Sequence, residues 1–338
     1  MPKLFIPSRN RPSSLSNVLS YLVKFYPKTE IIIADGSNAS YNSAYKKIVT
    51  HFKDKINIQY FIYDSSISMA ERVIDVLKKI DDEFIIFGSD DDFPVMDFFS
   101  KAELFLKDNS DYTLAIGGTV ALRILDNNSA QSKLLYSRSI EQNSPNQRIY
   151  EFIKWPYATC YSLVRREHVM NGAKHWDYSG MVAFGDFTMG FHNCIDGKIK
   201  SFEDICYFST TNKVHSNKRR KNNLFYIERA KDVLATKKHY KETLLKLPSM
   251  SEINAEKFSL RLVNTRVAEL ITPALQNTVG FGRSILFNKK EVLGQYRNFK
   301  NLFKINSKLR EKLLPKLEVV INFMIDLESS RTDNINEW

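Results

Sequence analysis

Three carboxylates in a row, Asp90-Asp91-Asp92, follow the apolar run Phe84-Ile85-Ile86-Phe87-Gly88-Ser89. Adjacent carboxylates repel one another unless a cation or hydrogen-bond donors hold them. Mg²⁺ and Mn²⁺ take oxygen ligands, few from protein and the rest from phosphate and water. Asp90 and Asp92 facing one way, with Asp91 facing another, would form a divalent-metal site able to grip a nucleoside diphosphate. The competing reading is a polar turn whose acids cap a helix. Other acids and an arginine stand in similar settings. Asp35 follows Glu30-Ile31-Ile32-Ile33-Ala34, Asp64 follows the apolar stretch 56–63, and Pro7-Ser8-Arg9 follows Leu4-Phe5-Ile6. A lone acid, Asp186, sits among Phe184, Phe187 and Met189. Desolvation raises a carboxyl pKa, which suits a general base; an exposed acid on an amphipathic helix is the alternative.

Stepping along the chain, these groups fall at the ends of predicted strands. Residues 3–6, 30–34, 56–63 and 84–88 read as strands. Between the first two, Leu15, Val18, Leu19, Leu22 and Val23 repeat at helical spacing. Tyr41, Ala44, Tyr45, Ile48 and Phe52 do so between the second and third, and Met69, Val73, Val76, Leu77 and Ile80 between the third and fourth. This β-α-β-α-β-α-β order predicts an α/β chain with a Rossmann-like, mostly parallel sheet flanked by helices. Ligands in such sheets bind beyond the carboxyl ends of the strands, so the acids and Arg9 share the expected rim.

Beyond the triple acid, residues 93–106 read as a turn and a helix, 112–117 and 119–125 as two strands, and 126–147 as a polar loop or linker. Residues 148–155 read as a helix ending at Pro156, 159–164 and 205–208 as strands, and the stretch around Asp186 as a helix start. From about residue 222 the signal is helical, with a last segment over 304–329. The expected organisation is a catalytic unit over 1–221 and a helical region over 222–338.

The 338 residues carry a formal net charge of +11. Residues 213–338 hold 25 Lys and Arg against 13 Asp and Glu. The basic excess therefore lies in the last third, which suggests an anionic partner such as a membrane surface, or simply a solvated helical face. No nucleic-acid motif accompanies it, and no nucleic-acid partner is expected. No apolar run reaches the length of a transmembrane helix, and residues 1–7 do not read as a signal peptide. Three cysteines without close pairing, Cys160, Cys194 and Cys206, point to a reducing, cytoplasmic setting.

The strings Ile6-Pro7-Ser8-Arg9-Asn10-Arg11-Pro12, Ile33-Ala34-Asp35-Gly36-Ser37 and Asp90-Asp91-Asp92 together resemble the family 2 glycosyltransferases of GT-A fold, above all bacterial members that assemble polysaccharides. The resemblance covers residues 1 to about 220. It implies a nucleotide-sugar donor, most simply a UDP-sugar, with Pro7, Ser8, Arg9, Asp35 and Asp64 near base and ribose. It also implies that Arg72 and Asp91 line the nucleotide site, and that Asp90 and Asp92 hold Mn²⁺ or Mg²⁺. His215 matches a histidine that completes the metal site in related enzymes; a solvated loop histidine is the other reading. Asp186 matches the base of an inverting transfer, although Gly185 replaces the acid that often precedes it. Lys218 and Arg219 could close over the diphosphate, and Trp155, Tyr157 and Trp176 could stack on acceptor sugars or simply fill the core. A glycan acceptor, possibly lipid-linked, capsule or O-antigen assembly, attachment to the inner membrane face and a homo-oligomer follow as expectations.

Rival classes lack their signatures. Residues 7–12 contain no glycine-rich phosphate loop of the nucleotidyltransferase kind. Neither G-x-G-x-x-G nor G-x-x-x-x-G-K-[ST] occurs after a strand. A non-catalytic sugar- or polyanion-binding module on the same fold and, despite the missing glycines, a nucleotidyltransferase are the remaining alternatives.

Overall fold

The computed structural model describes residues 1–124, 130–154, 157, 159–176, 182–211, 230–278, 296–298, 315–316 and 318–323. Four strands, β1 (Lys3–Ser8), β2 (Glu30–Asp35), β3 (Asn57–Ile62) and β4 (Phe84–Phe87), lie parallel in the order β4-β1-β2-β3. The crossovers are α1 (Pro12–Phe25), α2 (Asn42–Phe52) and α3 (Met69–Lys78). β1, β2 and β4 are buried nearly throughout, as strands covered on both faces must be. Leu15, Val18, Leu19 and Leu22 turn inward from α1, and Val73, Val76 and Leu77 from α3. Met69, expected inward, is 37% exposed. It is the first residue of α3, just after Ser68, which closes a capping box with Glu71, so its side chain lies outside the packed face.

The sheet turns mixed beyond β4. Two-residue β5 (Phe93–Pro94) leads into α4 (Met96–Asp108), followed by β6 (Tyr112–Ile124) and β7 (Ala130–Leu135). Then come α5 (Pro145–Lys154), β8 (Ser162–Arg165), α6 (Arg166–Ala173), α7 (Val182–Asp196) and β9 (Lys198–Thr211). β8 pairs antiparallel with both β4 and β6, while β9 runs parallel to β6 and antiparallel to β5.

Several boundaries differ from the sequence reading. Residues 112–125 were expected as two strands around Gly117-Gly118, but β6 is continuous there. Its pairing with β9 shifts register on both sides of Gly118, so an irregularity is absorbed without ending the strand. Part of the expected polar loop is β7, paired antiparallel to β6. Its sequence, Ala-Gln-Ser-Lys-Leu-Leu, lacks the alternation that marks a half-buried strand. β9 is also longer than the four residues expected.

The helical region begins, among the described residues, with α8 (Ala230–Leu244) and α9 (Glu252–Thr278). α8 packs on α7: the Tyr240 and Phe191 rings lie 4.6 Å apart, and the hydroxyls of Tyr240 and Thr188 are 2.9 Å apart. α9 meets α5 through Phe258 and Tyr150. A short strand, β10 (Tyr296–Asn298), pairs with β7. Residues 318–323 are helical, and Phe323 stacks on Phe93 at 6.2 Å. Lys316 Nζ donates to Asp97 Oδ2 at 2.9 Å. Most of the expected helix over 304–329 lies outside the described residues.

One buried arginine fastens the middle of the chain. Arg148 donates to the carbonyls of Cys194 and Ile195 in the last turn of α7 (2.7 and 2.8 Å) and to those of Gln142 and Asn143 (3.0 and 2.7 Å). It thus satisfies helix-end carbonyls and complements the negative end of the α7 dipole. Replacing it with Met should lower stability by about 2–4 kcal/mol, because charged hydrogen bonds are lost and buried carbonyls left without donors. Urea unfolding of Arg148→Met against wild type checks this.

Candidate active site

Strand register sets the rim. Ser8 lies opposite Asp35 in the β1–β2 pairing, and Asp35 lies opposite Ile62 in the β2–β3 pairing. Phe5 pairs with Phe87, so β4 ends three residues before β1 does, and the segment Gly88–Asp92 runs on beside Ser8. Three strand ends therefore bring Ser8, Asp35 and Asp90 to one edge.

The loop after β1 is tied to its neighbours. Asn10 has φ 56°, a left-handed conformation that asparagine tolerates better than most residues. Its N–H donates to Ser37 Oγ and its Oδ1 accepts from Asn38 N, both at 2.8 Å. Ser8 Oγ donates to Asp90 Oδ2 at 2.6 Å and lies 2.6 Å from the Tyr45 hydroxyl. Because Ser8 has one proton and gives it to Asp90, Tyr45 donates to Ser8 while accepting from Arg11 N–H at 3.0 Å.

The acid triplet is held from all sides. The Arg11 guanidinium reaches Asp90 Oδ1 and Asp91 Oδ2, each at 2.5 Å. Ser89 Oγ donates to Asp91 Oδ1. Asp92 Oδ1 accepts from Thr210 N at 2.6 Å, and its Oδ2 accepts from the Tyr161 hydroxyl. Tyr161 has φ 68°, a costly conformation for a bulky residue, and its N–H donates to Phe87 O at 3.1 Å. A strained backbone thereby aims a phenol at the last acid.

Burial dominates the electrostatics. Asp90 is fully buried and Asp92 nearly so. Desolvation pushes both carboxyl pKa values up to about 7; the Asp91 charge adds to the shift, and Arg11 opposes it. Burial works against the Arg11 charge as well, but the three carboxylates outweigh it and raise the Arg11 pKa. Three acids thus face one guanidinium. Asp90 Oδ1 is a buried atom that meets Arg11 as an ion pair without a hydrogen bond. An all-oxygen donor set with excess negative charge fits a hard divalent cation.

Asp35 and Arg72 form the second half of the rim. Buried Asp35 accepts from Ser37 N (2.8 Å) and from the Tyr60 hydroxyl (2.6 Å). Arg72 lies beneath the rim and is 3% exposed; its guanidinium donates to Ser8 O at 3.0 Å and Ala34 O at 2.9 Å. It braces the ends of β1 and β2 from inside. A Cβ on Gly36 would come within 2.5 Å of this guanidinium, so a larger residue there would push Arg72 away from the carbonyls it braces. Pro7 is half-buried and Arg9 exposed. Asp64 is exposed, two residues past β3, and its carboxylate accepts from Ser66 N and Oγ at 2.8 and 2.6 Å.

On the other side stands α7. Asp186, half-buried, lies near its start, between buried Phe184 and Phe187. Adjacent Gly185 faces Trp176, and Trp176 packs edge-on against Phe87, the last residue of β4, at 5.8 Å. A chain of contacts therefore links the first turns of α7 to the strand that ends in the acids. Tyr157 packs on Phe152, and its hydroxyl donates to Arg138 O at 2.6 Å. Trp155, His215, Lys218 and Arg219 lie outside the described residues.

Sequence reasoning gave Arg11, Tyr45, Tyr60, Tyr161 and Thr210 no role. Only Arg11 left a local signal, as a second arginine in the loop after β1. The others reach the rim from 25 to 118 residues away in sequence.

No family model matches the chain, and no curated protein matches it. Among solved structures it is similar to residues 1–349 of TarS from S. aureus, with TM-score 0.54 at 13% identity over 100% of this chain and 93% of that one. The same TarS segment in complex with UDP-GlcNAc gives 0.51 at 14% identity, covering 99% and 92%. In complex with UDP it gives 0.50 at 14% identity, covering 100% and 93%. At this identity the likeness shows the fold. The chain has a GT-A-type, Rossmann-like fold, a mixed sheet flanked by helices.

The raised carboxyl pKa values predict a pH effect. A group whose pKa is higher folded than unfolded contributes stability that is present below its unfolded value, near 4, and lost as pH rises through about 7. Asp92→Asn removes one such group and can keep both hydrogen bonds, accepting from Thr210 N and donating to Tyr161. Between pH 5 and 8 its stability relative to wild type should rise by about 2 kcal/mol. Paired urea titrations check this, since the difference cancels the groups distant from the rim.

Proposed function

We propose that this protein is a glycosyltransferase that moves a hexosyl group from a UDP-sugar to a glycan acceptor. The observation that carries the reading is the rim itself. On a GT-A-type fold, register brings Ser8, Asp35 and the Asp90-Asp91-Asp92 triplet to one strand-end edge, with more acid than the local cation neutralises. TarS, similar in fold, was solved with UDP-GlcNAc and with UDP, which supports a uridine diphosphate donor.

In this reading Pro7, Ser8, Arg9, Asp35 and Asp64 face the base and ribose, and Arg72 positions the first two strand ends. Asp90 and Asp92 would hold Mn²⁺ or Mg²⁺, with His215 as a further ligand. The bound ion offsets charge on the leaving diphosphate. Lys218 and Arg219 would add positive charge beside that diphosphate. Asp186 takes the proton from the acceptor hydroxyl as that oxygen attacks the anomeric carbon and the diphosphate departs, which inverts the configuration. Trp155, Tyr157 and Trp176 lie on the acceptor side of the reading.

The wider assignment is a surface polysaccharide such as capsule or O-antigen, built on a lipid-linked acceptor. The catalytic unit spans 1–221. The basic region 222–338 rests on the inner membrane face or joins copies of the chain. Among the described residues no helix is long and apolar enough to cross a membrane, and the attachment proposed is through surface charge, weakened by salt.

Calorimetry with UDP, GDP, CDP, CMP and dTDP, with and without Mn²⁺, tests the donor class. The expected result is Mn²⁺-dependent binding of UDP, lost in an Asp92→Ala variant that still melts cooperatively. Asp186→Asn should leave UDP binding within about twofold and lower transfer by at least 100-fold, the range for losing a general base. Absence of binding by any nucleotide, from folded protein, would overturn the reading.

A further inference from the structure

Away from the carboxylate rim, three histidines from separate segments converge. His175 lies in the turn after α6, where its N–H donates to Gly172 O at 3.0 Å. His192 is on α7, and His239 is on α8. The Nε2 atoms of His192 and His239 are 3.0 Å apart. The His175 ring stacks against both, at 4.4 Å from each. One potential ligand nitrogen from each residue lies within 4.8 Å of the other two.

We propose that His175, His192 and His239 form a second metal site that takes a borderline transition-metal ion of the Zn²⁺ class. Three imidazole nitrogens with one position left for water is a donor set zinc accepts. Tetrahedral bonds of 2.0–2.1 Å place two ligand nitrogens about 3.3 Å apart. The His192–His239 pair is near that spacing already, and closure falls mainly to the third ring. Without an ion the pair shares one N–H between two nitrogens; an ion would take that proton's place, the ring then carrying its proton on Nδ1.

The surroundings select the kind of ion. Burial, then the neighbouring imidazoles, lowers the His192 pKa to about 2, and burial and His175 lower that of His239 to about 4. All three rings are therefore neutral at pH 7, the form that ligates metal. Lys174 and Lys246 add positive charge beside the cluster, with Asp196 the acid felt by His175. Such a site repels a hard ion held by charge alone and favours one held by nitrogen donor strength. An ion here would fasten α8, and with it the helical region, to the helix that carries Asp186.

The test uses the full chain with any affinity histidines removed, stripped of metal and titrated with Co²⁺ and then Zn²⁺. One tetrahedral Co²⁺ per chain is expected, its visible bands lost on adding Zn²⁺, with a higher melting temperature in Zn²⁺. His192→Gln and His239→Gln should each weaken binding of the tetrahedral Co²⁺ at least about tenfold. No saturable Co²⁺ spectrum from wild type would overturn the proposal, and that result does not depend on any variant folding. Unchanged affinity in a His192→Gln/His239→Gln protein that melts cooperatively would overturn it equally.

Discussion

Asp90, Asp91 and Asp92 stand side by side because donors from three other segments converge on them. Arg11 and Ser8 come from the β1 end, Tyr161 from the turn before β8, and Thr210 from β9, while Ser89 adds a local hydroxyl. Each of those segments is fixed in turn by the acid it serves. Thr210 meets Asp92 through its N–H and the Asp91 carbonyl through its hydroxyl (2.7 Å), which pins β9 against the end of β4. Even so, one guanidinium does not balance three carboxylates in a desolvated place: burial raises the Asp90 and Asp92 pKa values, and the Asp91 charge adds to the rise.

The rest of the α/β layer keeps that edge level. Parallel register aligns β1, β2 and β4, and Arg72 joins the first two from below through the Ser8 and Ala34 carbonyls. Asp35 is held by Tyr60, which stands on β3, so the third strand also bears on the rim. On the far side α7 is clamped at both ends. Arg148 gathers its final carbonyls, and Trp176 links its first turns to Phe87. α8 then packs along α7 through Tyr240. The helical region therefore shares a core with the sheet layer in its described part, and Phe323 reaching Phe93 extends that contact to the residue after Asp92.

Much of this was legible in the chain because the relevant signals are local. The runs Ile31–Ile33 and Phe84–Phe87 are apolar on both faces, so their burial and parallel pairing follow from the residues themselves. Asp35 and the acid triplet were visible as strand-end acids for the same reason. What stayed hidden depends on distant partners. Nothing near Tyr161 or Thr210 in sequence signals that each will meet Asp92. β7 is a strand whose identity comes from pairing with β6 and β10, and β6 runs through Gly117-Gly118 with register shifts in its pairing with β9. The histidine cluster is the extreme case, with three residues on three elements and no spacing motif among them.

The charge balance at the rim also constrains how any ligand enters. Arg11 and a divalent cation held by Asp90 and Asp92 would compete for Asp90 Oδ1. Arg11 has a side chain 35% exposed, whereas Asp90 is fully buried, so the arginine can turn outward at far lower desolvation cost than the acid can move. A guanidinium released in that way keeps its planar fork of donors, which matches phosphate oxygens as well as carboxylates. On the proposed reading, Asp90 and Asp92 would hold the ion, and an arginine turned outward would offer its donors to the diphosphate. The loop after β1 permits this rotation without losing its place, because Asn10, Ser37 and Tyr45 hold its backbone independently of the Arg11 side chain.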